Sequence, residues 1–450
     1  MPQCRPLKIA VIGSGISGLS CAWLLSQQHQ VTLFEKDDRL GGHSNTVTIQ
    51  DGPEEIPVDT GFIVFNPVNY PNLVQLFQLL NVETHPTEMS FAVSLDQGAL
   101  EYSGSGLGGL FAQRSNLLKP RFLKMVRDIL RFYREAPEAL LRSNSEVSLR
   151  TLLAEGGFGQ AFTEEHLLPM GAAIWSTPMD KMLDYPARSF LQFCTNHGLL
   201  QLKNRPQWRT VLGGSQEYVK RLRNASQMEV FTHRSIRAVR RIGGKVLIAD
   251  RQGDQWQFDH IVFACHADQA LQMLTDPRPE EQAVLQAFRF ERNRAVLHSD
   301  TRFMPQRKRV WSSWNYLGQR NGSETQLSVS YWMNRLQNLP TKMPLIVTLN
   351  PYLEPAAGSV HASFLYDHPL FDQAALDAQK QLWNIQGNHN SWFCGAWCGY
   401  GFHEDGLQAG LAVAEALGGL QRPWQVDGMN GRLPLPDSWP RKRIGSGAAA

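Results

Sequence analysis

Leu7-Lys8-Ile9-Ala10-Val11-Ile12-Gly13-Ser14-Gly15-Ile16-Ser17-Gly18 is the stretch on which the fold turns. Residues 7–12 form a short apolar run ending in glycine, which reads as a buried parallel strand. Residues 16–28 follow with helical spacing of Ile16, Leu19, Trp23 and Leu24, and 30–35 (Gln-Val-Thr-Leu-Phe-Glu) make a second strand. Strand, glycine turn, helix and strand form a βαβ unit, which predicts an α/β fold opening on a doubly wound, Rossmann-type sheet. The glycines fit G-x-G-x-x-G. Gly13 permits the tight turn, Gly15 lets backbone approach a pyrophosphate, and Gly18 lets the helix pack close on the strand. The start of the helix, at Ile16 and Ser17, then offers N–H groups and partial positive charge to phosphates. Glu35 ends the second strand, where a carboxylate accepts hydrogen bonds from a ribose diol and disfavours a 2′-phosphate.

Outward from that unit, the chain alternates in character. Residues 72–81 and 119–142 read as helices. Between 226 and 264, short strands (Val230–Phe231, Ile236–Val239, Val246–Ala249, Trp256–Phe258, Ile261–Cys265) are broken by Gly243-Gly244 and Gly253, as hairpins are. Residues 292–350 are again strand-like and rich in tryptophan, and 391–396 with 404–418 make a last strand and helix.

Composition sets the outer limits. Of 450 residues, 42% are hydrophobic and 19% charged, which excludes collagenous and disordered chains and leaves room for two or three domains. Lys+Arg 44 against Asp+Glu 41 leaves a formal charge of +3, which argues against nucleic acid as a partner. Six cysteines (Cys4, Cys21, Cys194, Cys265, Cys394, Cys398) in so long a chain make no disulfide framework, and without a CxxC pair they suggest no metal site. No apolar stretch reaches bilayer-spanning length, so the chain reads as cytoplasmic.

Arg39-Leu40-Gly41-Gly42 follows Glu35 at once, with Thr46 beyond it. This Glu-x3-Arg-x-Gly-Gly pattern puts a cation and a second glycine turn beside the same pyrophosphate. Val58-Asp59-Thr60-Gly61, Leu212-Gly213-Gly214 with Thr232–Ile236, and Trp392–Gly395 with Gly401–Gly410 then follow in order. With these four segments the chain resembles the flavin-containing amine oxidase superfamily, which includes monoamine oxidases, protoporphyrinogen oxidase and carotenoid desaturases. The resemblance implies an FAD-dependent oxidoreductase. Its FAD domain would be assembled from 1–66, 206–266 and 389–420, an α+β substrate domain from 67–205 and 267–388, and 421–450 would be a C-terminal tail. It implies FAD contacts at Gly13, Gly15, Ile16, Ser17, Gly18, Glu35, Lys36, Arg39, Gly41, Gly42, His43, Thr60, Gly61, Phe62, Ile236, Gly395, His403, Glu404 and Gly406. The helix opening near His403 would face the flavin.

The intervening segments are similar to a narrower group, the flavoprotein domain fused to plant cyclopropane fatty acid synthases and its free-standing bacterial relatives. His43–Thr46, Asp59–Asn66, Tyr70-Pro71-Asn72, Ile174-Trp175-Ser176, Asn196–Leu200, Leu297–Asp300, Trp311–Tyr316 and Tyr331–Asn334 carry that likeness. It implies a fatty acyl or phospholipid-linked substrate and a C–H oxidation or flavin-dependent reduction. Two departures from the amine oxidase pattern matter. Ala295-Val296-Leu297-His298 lacks the lysine those enzymes keep near the flavin, and residues 360–390 contain no cysteine to tether one. Non-covalent FAD is therefore expected. Oxidation of a small amine, and a non-catalytic role beside a lipid methyltransferase partner, stay open as rivals.

His43, His298 and His403 are the catalytic candidates, against the alternative that each is a satisfied structural histidine. Trp175, His197, Trp314 and Tyr331 are candidates to line a substrate tunnel, against simple core packing. In residues 119–134, Phe122, Val126, Ile129, Leu130 and Tyr133 recur at helical spacing beside Lys119, Arg121, Lys124, Arg127, Arg131 and Arg134. Such a helix suits peripheral contact with an anionic membrane, against the alternative of a domain helix with solvated charges.

Overall fold

The computed structural model describes residues 5–142, 147–175, 179–196, 198–201, 205–321 and 324–439. The opening unit is β1 (Lys8–Ile12), α1 (Ile16–Leu25) and β2 (Gln30–Phe34). These strands belong to a five-stranded parallel sheet in the order 391–393, 260–263, β1, β2, 229–231. Sequence neighbours thus flank only one side of β1, and strands from 260 and 391 return to complete the other. All ten residues of α1 are buried, because the sheet covers one side and the helix His403–Gly418 the other. That second contact is close. A Cβ on Gly410 would stand 2.2 Å from the Ser17 carbonyl oxygen, and one on Gly406 2.9 Å from Ile16 Cγ2.

The hairpin β3 (Thr46–Asp51) and β4 (Glu54–Asp59) leads through 60–66 to α2 (Pro71–Leu79). A three-stranded antiparallel sheet follows from 236–242, 245–250 and 255–258. The second large sheet has seven strands in the order 360–370, 289–298, 346–349, 324–332, 314–321, 91–95, 100–103. Helices pack over it, among them the short α3 (Leu107–Leu110) and the long α4 (Pro120–Arg142). Two apolar cores result, one around the parallel sheet and one around the seven-stranded sheet with α4. Of the expected tail, residues 421–439 are described and sit against the first core: Trp424 stacks on Trp23 at 6.0 Å, and buried Arg422 pairs with Glu415. Among the described residues, no helix is long and apolar enough to cross a membrane.

Of the expected stripe on α4, Phe122 and Ile129 are buried in the second apolar cluster beside Met125 and Phe132, Val126 and Tyr133 are half-buried against it, and Leu130 is exposed.

Candidate active site

A cavity of about 970 Å³ runs from the first core into the second. Its first wall is the glycine turn after β1. Gly13 has φ +102°, and a Cβ there would lie 2.7 Å from the Ala264 carbonyl oxygen, so side chains are excluded twice over. A Cβ on Gly18 would be 1.9 Å from the Gly13 carbonyl oxygen, which places this third glycine in the packing of α1 on β1 and off the cavity wall. Gly15 meets nothing within 4 Å and faces open space where α1 begins, with no side chain capping the helix. The second glycine turn lies over the first: a Cβ on Gly42 would stand 3.1 Å from Gly15 Cα.

Glu35 closes the far side. Its Oε2 accepts from Ser14 N–H at 3.0 Å and Ser14 Oγ at 2.6 Å, and its Oε1 from Asp37 N–H at 3.0 Å. The carboxylate is thereby aimed and keeps lone pairs for hydroxyl groups. Ile16, Ser17, Lys36, Arg39, Gly41 and Ile236 complete this end. Two stacked glycine turns, a bare helix N-terminus, cations and an oriented acid fit the pyrophosphate and ribose of a dinucleotide, so these residues would hold FAD.

Further in, Thr60, Gly61, Phe62, Gly395, His43 and His403 line the cavity. His403 begins its helix with Nε2 at 2.7 Å from Tyr218 Oη and 3.2 Å from Ser44 Oγ, and its ring lies flat on Phe62 at 3.8 Å. Burial drives its pKa down to about 3. His43 stacks on Tyr366 at 4.9 Å and stands 5.4 Å from His368. Burial, with His266 and Arg39 nearby, lowers its pKa to about 4. Both imidazoles are neutral at pH 7. His43 Nε2 is buried and has no hydrogen-bond partner in the protein among the described residues, an unmet group beside the cavity that a bound molecule would satisfy.

The inner lobe is apolar and aromatic. Trp314 and Tyr331 meet edge to face at 5.3 Å, and the buried Trp314 Nε1 has no partner among the described residues. At its end His166 stands between two phenols. Tyr102 Oη is 3.1 Å from Nδ1, Tyr133 Oη is 3.5 Å from Nε2, and Tyr102 donates to the Glu165 carbonyl oxygen at 2.7 Å. With the Tyr102 proton so used, Nδ1 carries the imidazole hydrogen and Nε2 is the acceptor. His166 sits in a single π-helical turn, Thr163–Leu167, a distortion frequent at functional sites. Arg205 also lines this lobe and bears electrostatically on Tyr133.

Several expected site residues stand elsewhere. His298 is fully buried off the cavity, with Nε2 at 2.8 Å from Thr348 Oγ1 and Nδ1 accepting from Asp300 N–H at 3.1 Å, so both ring nitrogens are spent on the fold. Glu404 turns away from the flavin site. Its carboxylate accepts from Asn72 N–H, Asn72 Nδ2 and Leu73 N–H at 2.7–3.1 Å and caps α2. Gly406 serves the α1 contact already described. Asp59 is buried behind the site, accepting from Thr46 Oγ1, Ser215 and Gln337. His197 lies outside the described residues, as does the side chain of Trp175. Tyr102, His166, Tyr366 and His368 are cavity residues that sequence reasoning missed. None carries a local motif, and only the chain's path around the second sheet brings them together.

The family profile of flavin containing amine oxidoreductases matches residues 16–348. A 15-cis-phytoene desaturase of Synechococcus elongatus is 37% identical over 78 residues, 17% of this chain and 16% of that protein. A probable polyamine oxidase 4 of Arabidopsis thaliana is 26% identical over 263 residues, 57% of this chain and 49% of that protein. The matches thus span less than half the length of these two curated relatives. The crystal structure of a fatty acid isomerase from P. acnes, described as producing CLA, superposes with a TM-score of 0.63 at 14% identity, covering 90% of this chain and 97% of that one.

Proposed function

The chain belongs to the family of flavin-containing amine oxidoreductases, and within it we propose that its substrate is a fatty acyl chain, held beside non-covalent FAD. One observation carries the substrate reading. Around Met89, Phe91, Met170, Trp314 and Tyr331 the cavity is apolar and aromatic with the cation Arg205 on its wall, while the carboxylate Asp367 on the same cavity wall near His43 is paired with Arg292. An ammonium substrate wants a carboxylate or an open aromatic cage. An apolar lobe with a cation suits a hydrocarbon with an acidic end. The fatty acid isomerase and phytoene desaturase among the similar proteins act, by their names, on long hydrocarbon chains, which supports the same reading.

When bound, FAD supplies the two-electron redox chemistry that the side chains themselves lack. The chain's own residues prepare the place. Phe62 and Tyr218 fix the His403 ring, and the neutral imidazoles of His43 and His403 add polarity without a charge beside the reacting carbon. Trp314 and Tyr331 exclude water from the chain. Non-covalent attachment is supported by Cys265, the cysteine lining the cavity among the described residues, because burial pushes its thiol pKa up and leaves it a poor nucleophile.

The test is anaerobic mixing of the yellow holoprotein with oleic or linoleic acid, with phospholipids carrying the same chains, and with putrescine and benzylamine. Flavin bleaching, or a shifted double bond in recovered lipid, is expected with an acyl compound alone. Bleaching by an amine, or no change in any lipid, overturns the acyl reading. Acid precipitation that leaves the yellow colour on the pellet overturns non-covalent attachment.

A further inference from the structure

We propose that the surface formed by α3, the turn 114–118 and the start of α4 docks on an anionic lipid bilayer. It extends N-terminally from the stripe singled out in the sequence, of which Phe122 and Ile129 are core. Residues 104–127 contain Arg114, Lys119, Arg121, Lys124 and Arg127 and no Asp or Glu. The same stretch holds Leu107, Leu117, Leu118 and Leu123 outward, 76%, 50%, 86% and 43% exposed. Aliphatic side chains set among cations are what an anionic interface takes up.

The leucines are exposed because the backbone is fastened by other residues. Gln113 accepts from Glu101 N–H at 2.8 Å and donates to the Ala99 carbonyl oxygen at 3.0 Å, while Asn116 Nδ2 donates to the Glu101 carbonyl oxygen at 3.2 Å. Phe122 and Met125 anchor the next turn in the core. With Gln113 and Asn116 buried on the sheet, Leu117 and Leu118 turn outward. Neighbouring acids are engaged inward: Glu101 pairs with Arg307, Glu165 with Arg121, and Asp128 accepts from Gly159 N–H. The outer charge is therefore positive. A protein partner is the weaker fit, because interface hot spots favour Trp and Tyr and are poor in Leu, and this surface presents leucines.

Docking stands apart from the acyl reading and is measured without turnover. The holoprotein is sedimented with vesicles of phosphatidylglycerol and phosphatidylcholine and with phosphatidylcholine alone, at low and high salt. Binding to the anionic vesicles, weakened by salt, is expected. R114E/K124E lowers the partition coefficient at least about twentyfold, since each cation near such a surface is worth about fivefold. L117S/L118S lowers it about tenfold or more. K220E, outside this surface, leaves binding unchanged. Flavin absorbance and thermal midpoint, retained in every variant, show that the fold is intact. No sedimentation with anionic vesicles, equal binding to phosphatidylcholine, or variants that bind like the parent overturns the proposal.

Discussion

Gly15 and Gly18 are three residues apart in one motif and answer to different demands. A methyl group on Gly18 meets backbone of the turn before it, and neither partner can yield without moving β1 or α1. Gly18→Ala should destabilise the protein by roughly 3 kcal/mol, read as a fall in the urea midpoint with or without flavin. Gly15→Ala places its methyl in open space at a φ of −62° that alanine adopts freely. The apoprotein should keep its midpoint while FAD binding weakens by about tenfold or more, or 1.4 kcal/mol. Equal behaviour of the two variants would sink the assignment. His298 makes the reverse case. With its nitrogens tied to Thr348 and Asp300, His298→Ala should cost about 2–3 kcal/mol of stability and leave the rate of flavin reduction within about twofold. A large loss of rate at unchanged stability would restore it as catalytic. Gly18 and Glu35 were legible in the sequence because their nearest partners, Gly13 and Ser14, lie within one βαβ unit. His298 was not, because its partner Thr348 comes from a strand 50 residues on.

Among the elements, the helix His403–Gly418 shows how one sequence feature serves two ends. Its first residue faces the cavity, and its second caps another helix. Glu404 takes the first N–H groups of α2, a role invisible in sequence because Asn72 and Leu73 are more than 300 residues away. Removing the carboxylate leaves several buried donors unmet. Glu404→Ala should lower stability by roughly 3 kcal/mol, seen in thermal unfolding, and the spectrum of bound flavin should stay as it was. An altered flavin spectrum at unchanged stability would return Glu404 to the cofactor site. In α4, an apolar stripe has the same spacing whether core or lipid covers it, and the second core takes Phe122 and Ile129 of that stripe while Leu130 stays exposed. Leu117 and Leu118 lie in the preceding turn, where no helical period marks them.

At the scale of the whole molecule, the cavity joins the two cores, and uncharged histidines surround it. Seven buried or half-buried histidines have pKa values lowered chiefly by burial: His43, His166, His260, His266 and His298 to about 4, and His368 and His403 to about 3. Five of them (His43, His166, His266, His368 and His403) line the cavity. In the unfolded chain each titrates near 6.5, so between about pH 6.5 and 4 the unfolded state binds more protons than the native state. Stability must then rise with pH through that window and be lost as acid is added. Asp59 works the other way. Burial raises its pKa to about 6, so the native state holds that proton where the unfolded chain, near 3.8, has released it. Burial also raises the pKa of Asp268, Glu404 and Asp405, and these contributions grow as pH falls, but four carboxyls are set against seven imidazoles. The urea midpoint should therefore drop steeply from pH 6.5 toward pH 4, with flavin released in the same transition because most of the charging groups surround its site. Salt should blunt the drop little, since desolvation and not long-range repulsion is its main cause. A midpoint that stays flat or rises over this window would mean that these rings accept protons in the native state, and the cavity would then have to be open enough to water to let them.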